Sequence, residues 1–126
     1  MSINDSERKR RGRIAEDAVC DLIRKRGYQI VNRNVTFAGI GEIDIIALRE
    51  NQLIIIEVKA RQSSSNFGGP LAAITRQKIS RIIRTTYCYM KKNGLMNNYV
   101  MILAAGVSMN KHGDIESVEV VPVERL

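Results

Sequence analysis

Two apolar stretches of this chain carry charge where a strand core should be. Glu42 to Leu48 and Leu53 to Ala60 are rich in isoleucine, valine and leucine, which favour a pleated surface, yet they hold Asp44 in one and Glu57 and Lys59 in the other. Arg49-Glu50-Asn51-Gln52 is the short polar break between them. With Glu50-Asn51 as a two-residue hairpin loop, Arg49 faces Gln52, and counting back puts Asp44 opposite Glu57 and Glu42 opposite Lys59. A bulge at this glycine-free turn would slip those pairs by one. Glu57 and Lys59 share a face in either register.

Directly opposed residues have Cβ atoms about 4.5 to 5.5 Å apart, so two facing carboxylates would destabilise the sheet. Two arrangements relieve this. Glu42 pairs with Lys59 while Asp44 and Glu57 meet solvent, or a divalent cation sits between the carboxylates; two facing carboxylates against one lysine favour the cation. The period of two puts Asp44, Glu57 and Lys59 on one face and Ile43, Ile45, Ile54, Ile56 and Val58 on the other. Ile46, Leu48, Leu53 and Ile55 make the far end of the charged face apolar, so both faces need cover. The expected fold is therefore α/β: a mixed sheet with a central antiparallel hairpin, flanked by helices.

The chain has 126 residues, enough for one domain. Residues 1–12 are polar and basic and read as a disordered arm ahead of a single domain over 13–126, with Arg8-Lys9-Arg10-Arg11 either continuing that arm or making the frayed start of a helix. No secretory leader or membrane-length apolar run is visible, and the expected compartment is the cytoplasm. Cys20 and Cys88 lack zinc-site spacing and read as buried thiols, and the lone His112 rules out a histidine-based triad. Gly39-Ile40-Gly41 is not a dinucleotide fingerprint, because the third glycine is missing and a strand follows. A net charge of +7 points to a polyanionic partner, nucleic acid before membrane, and the scarcity of aromatics points to phosphate contact rather than base stacking.

Apolar residues at helical spacing predict a helix over Arg13 to Arg26, stopped by Gly27. A strand follows over Tyr28 to Phe37, interrupted at Asn32-Arg33-Asn34. Beyond the hairpin, a second helix is expected from Pro70 to about Lys92, with Leu71, Ile74, Ile79, Ile82, Ile83 and Met90 inward, and then strands over Asn98 to Val107 and Ile115 to Val123. Pro122 marks the last as an edge.

Asp44 and Glu57 are hard oxygen ligands suited to magnesium or manganese, with the Val58 carbonyl and waters able to complete the shell. Lys59 would point into the same site, to orient a water or neutralise phosphoryl oxygens.

Asp44 followed by Glu57-Val58-Lys59 resembles the PD-(D/E)XK pattern of restriction-endonuclease-like nucleases, whose αβββαβ core is similar to the expected element order. More narrowly, Ala15-Glu16, Gly27-Tyr28, Arg33-Asn34, Gly41-Glu42-Ile43-Asp44, Glu57-Val58-Lys59-Ala60-Arg61, Phe67-Gly68 and Lys78 resemble the bacterial YraN family, regarded as endonuclease-like and related to archaeal Holliday junction resolvases. The resemblance implies a magnesium- or manganese-dependent DNA endonuclease, with branched DNA as a candidate substrate and a homodimer as the form a resolvase would need. Asp44 and Glu57 match its metal ligands, Lys59 its catalytic lysine, and Glu16 a first-helix glutamate that assists the metal. Arg61, Gln77 and Lys78 are candidate phosphate contacts. The chain departs from the family pattern at Asn98-Tyr99-Val100, where members often carry Arg-Phe-Asp, and has Ile43 rather than proline before Asp44. The rival reading is a nucleic-acid-binding protein that keeps the fold without the activity.

Overall fold

In a computed structural model, which describes residues 3–63, 72 and 74–125, two helices and five strands alternate as α1 (Asp5–Lys25), β1 (Gln29–Phe37), β2 (Gly41–Arg49), β3 (Gln52–Gln62), α2 (Arg76–Lys92), β4 (Tyr99–Met109) and β5 (Ile115–Arg125). This is the expected order of elements. The strands form one mixed sheet in the order β1-β2-β3-β4-β5, antiparallel except where α2 carries the chain across to make β3 and β4 parallel.

The helices take opposite faces. Ala15, Val19, Cys20 and Ile23 of α1 pack on Ile45, Ala47, Ile54, Ile56, Ala105 and Val107, while Ile82, Tyr89 and Met90 of α2 pack on Ile43, Ile46, Leu53, Ile55 and Ile102. β3 is thus covered on both sides, which is why its middle reads as a continuous apolar run. Pro122 lies in β5, an edge strand, where a missing N–H costs no ladder bond. Cys20 and Cys88 are free thiols. Among the described residues no helix is long and apolar enough to cross a membrane.

α1 starts at Asp5, not Arg13, so of the two readings of Arg8 to Arg11 the structure has the helical one. Asn4 caps it by accepting from the Glu7 N–H at 2.8 Å, and the Glu7 side chain takes charged bonds from Arg10 and Arg11 at 2.7 and 2.9 Å. α2 starts at Arg76 behind a Thr75 cap, and the expected start at Pro70 and the inward Leu71 lie outside the described residues. β1 is continuous through Asn32-Arg33-Asn34, with a register shift between Ile30 and Asn32 and with Asn34 in the left-handed region at φ 52. Asparagine tolerates that conformation better than most residues.

The β2–β3 hairpin has the expected register as far as it goes. It pairs Arg49 with Gln52 and Ile45 with Ile56, after Glu50 turns the chain at φ 54 without a glycine. The ladder then ends, so the expected facing pairs Asp44–Glu57 and Glu42–Lys59 do not form, and Glu42 instead faces Thr36 on β1. Alternation breaks at the same point. Ile43 belongs to the α2-side cluster with Ile46, not to the α1 side with Ile45 as expected, and its β1 partner Val35, just past Asn34, packs against that cluster too. β3 stays paired to β4 along its whole length, Gln52 to Gln62, so it is β2 that leaves.

Candidate active site

Asp44 sits where β2 leaves β3. The Val58 N–H, which in a continued antiparallel ladder would seek a β2 carbonyl, donates instead to Asp44 Oδ2 at 2.7 Å. The side chain therefore does the bonding that the backbone has given up. Burial and then the neighbouring Glu57 charge push the Asp44 carboxyl up to about 7, with Glu16 adding to them, against the Val58 N–H and Lys78, which favour the ionised form. Asp44 feels charges from α1 and α2 alike.

Glu57 is mostly shielded from solvent, and its Oε1 lies 3.1 Å from Lys78 Nζ on the first turn of α2. Glu57, Lys78 and Arg81 line a cleft of about 570 Å3 together with Gly41, Glu42 and Ile82. The ammonium that meets Glu57 is thus that of Lys78, and Arg81, which the sequence places on a basic outer face of the second helix able to track a phosphate backbone, lines the same cleft. Three residues separate them on one helix, a spacing that places both on one face. No sequence signal ties α2 to Glu57, because the contact spans the crossover.

Lys59 is exposed and makes no ion pair among the described residues. It lines a second cavity, of about 670 Å3, with Val58, Arg61 and the α1 residues Arg8 and Arg11. Gln77 is exposed, one position before Lys78. Glu16 is drawn to β1, where its Oε1 accepts from Asn34 Nδ2 at 3.2 Å and Arg33 Nη2 at 3.4 Å, while Arg33 bonds Asp17 at 2.8 Å.

Among the described residues no three His, Cys, Asp or Glu side chains stand close enough to hold a metal ion by themselves. The chemistry of the donors nevertheless fits a hard cation. Asp44 and Glu57 are oxygen donors whose repulsion helps raise the Asp44 carboxyl, and the Val58 carbonyl lies along the strand edge whose N–H meets Asp44. Glu16, tied to Arg33 and Asn34, is not among them in this arrangement.

A mixed α/β fold whose central hairpin parts over two electrostatically coupled carboxylates, between a cleft of mixed charge and a basic cavity, is the class that fold and site define. The model of the uncharacterised protein family UPF0102 matches residues 15–120, and the chain belongs to that family. It is similar to a UPF0102 protein of Helicobacter pylori, 38% identical over 92 residues that cover 73% of this chain and 76% of the relative. A UPF0102 protein of Moorella thermoacetica is 33% identical over 114 residues, covering 90% of this chain and 93% of the relative. One of Desulfosudis oleivorans is 40% identical over 89 residues, 71% of each chain.

Proposed function

We propose that the protein is a metal-dependent endonuclease of the restriction-endonuclease-like kind, hydrolysing phosphodiester bonds in DNA, with branched or junction DNA as the favoured substrate. The observation that carries this reading is Asp44. A carboxylate held at the parting of two strands, its affinity for protons raised by burial and then by Glu57, is placed to take a cation in their stead. Asp44, Glu57 and the Val58 carbonyl would hold magnesium or manganese, which supplies charge stabilisation at the phosphoryl group and a more acidic water. Lys59 brings an ammonium from β3 to neutralise phosphoryl oxygens, and Arg81 and Lys78 bring positive charge from α2. Glu16 supports the site from α1 through its charge on Asp44. The net charge of +7 favours the approach of a polyanion.

The test is incubation with linear, nicked and four-way-junction DNA in magnesium, manganese or chelator. Wild type cuts in either metal, and chelator, Asp44→Ala and Lys59→Ala each abolish cutting. Cleavage that survives in Asp44→Ala or in chelator overturns the assignment.

The second reading, a nucleic-acid-binding protein without catalysis, draws on the Glu57–Lys78 ion pair, which gives one of the two carboxylates a cation of the protein's own. Lys78→Met separates the two. A pair with one partner open to solvent contributes about 0.2 to 1 kcal/mol, so freeing Glu57 lowers the magnesium concentration for half-maximal thermal stabilisation by about 1.4- to fivefold if magnesium binds there. A protein that never binds the ion shows no magnesium-dependent shift in either form.

A further inference from the structure

The second cavity carries more positive charge than a solvated face requires. Arg8, Arg11, Lys59 and Arg61 line it and, among the described residues, no acidic side chain does, while Ile3, Val58, Ala60 and Met109 make part of its wall apolar. Charges of one sign beside low-dielectric walls concentrate the field on an anion within. Arg11 is fixed there: its Nε bonds Glu7 Oε1 and its Nη2 bonds the Lys111 carbonyl, both at 2.9 Å, and its side chain is only 13% exposed. Two of its donors are thereby committed to holding the guanidinium in place, and Nη1 has no partner among the described residues. Arg8 is tethered only weakly, with Asp5 at 4.0 Å.

The position matters as much as the charge. Glu57 opens to the cleft on the α2 side, and Val58, next in the chain, opens to this cavity. From Glu57 to Lys59 the strand advances about 7 Å, and one strand of duplex DNA advances about 3.4 Å of helix axis per nucleotide. Measured along β3, the cavity therefore begins at Val58 about one nucleotide from Glu57 and reaches Lys59 about two nucleotides from it.

We propose that this cavity is a phosphate subsite, in which Arg8 and Arg11 of α1 hold the backbone of a nucleic-acid strand a nucleotide or two from the bond presented to Asp44 and Glu57. The subsite rests on the nuclease reading for its substrate, and its test reads binding alone. Fluorescence anisotropy of a labelled DNA duplex, with chelator present, gives the dissociation constant over a series of salt concentrations for wild type, Arg8→Gln, Arg8→Glu and Lys9→Gln. Lys9 neighbours Arg8 in the chain, is exposed and carries the same charge, but does not line the cavity.

Arg8→Gln is expected to lower the slope of log affinity against log salt by about 0.9, and to weaken binding about eightfold at 0.1 M salt. Arg8→Glu weakens binding further, and Lys9→Gln keeps the wild-type slope. A wild-type slope in Arg8→Gln, or an equal loss in Lys9→Gln, overturns the subsite, as does a wild type that does not bind the duplex. If the slopes change as expected but no DNA is ever cut, the subsite stands and the nuclease reading falls.

Discussion

Asp44→Asn is expected to stabilise the metal-free protein at pH 8 and, on the proposed nuclease function, to remove cleavage. The carboxyl stands at about 7 where an ordinary aspartate stands at 3.8, and at about 1.4 kcal/mol for each pKa unit the ceiling on this effect is about 4 kcal/mol. Because the side chain keeps some contact with solvent, about 2 to 3 kcal/mol is the expected gain. Asparagine keeps an oxygen to accept the Val58 N–H but carries no charge beside Glu57. The folded pKa is raised, so Asp44 contributes most to wild-type stability below pH 4, and that contribution is lost as the pH rises through 7. The advantage of Asp44→Asn is therefore largest above pH 7 and shrinks towards pH 4. Glu7, held near 2 by its bonds to Arg10 and then Arg11, has the opposite sign, with stability lost as the pH falls. It is common to both proteins and cancels in their difference. Urea unfolding at pH 8 and pH 5 checks this, and an Asp44→Asn protein less stable than wild type at pH 8 would contradict it.

Gly41→Ala acts by volume. A Cβ there would lie 2.6 Å from Thr85 Oγ1, closer than any real packing allows, and 3.6 Å from the Arg81 carbonyl. Thr85 is fully buried and its hydroxyl donates to that same carbonyl at 2.7 Å, so it cannot swing aside without losing its bond. The methyl must push α2 off the start of β2, at a cost of about 1 to 3 kcal/mol. Since Arg81 and Gly41 both line the Glu57 cleft, the proposed cleavage should fall with stability. Thr85→Ala in the same chain removes the clashing oxygen and should recover most of the loss, a coupling that a double-mutant cycle measures. Equal stability of Gly41→Ala and wild type would show that the helix yields freely.

The order of elements was legible because each apolar period is long and bounded by a glycine, a proline or a polar run. The hairpin register was legible because a two-residue loop fixes it. What the pairing arithmetic could not supply was where pairing stops. That is decided by Asn34 at φ 52 and by Ile43 turning to the α2 side, which are packing choices made between distant segments. The early start of α1 did have a signal: Asn4 and Glu7, a cap residue followed three positions later by glutamate, ahead of the charged run. Periodicity overlooks it because Asp5 to Arg11 contain no apolar side chain. Asp44 and Glu57 were visible as charges in apolar runs. Their partners Val58 N–H and Lys78 were not, since one is backbone and the other approaches across the crossover.

The bond between Val58 and Asp44 makes one backbone amide a native gauge of the site. β3 is anchored along its full length by β4, so that amide has little reason to open except when Asp44 lets go. Protonation, cation capture or replacement of that single carboxyl would each be written into its nitrogen chemical shift and its rate of exchange with deuterium. A spectroscopist can thus follow the state of the carboxylate from the neighbouring strand, without substrate and without waiting for turnover.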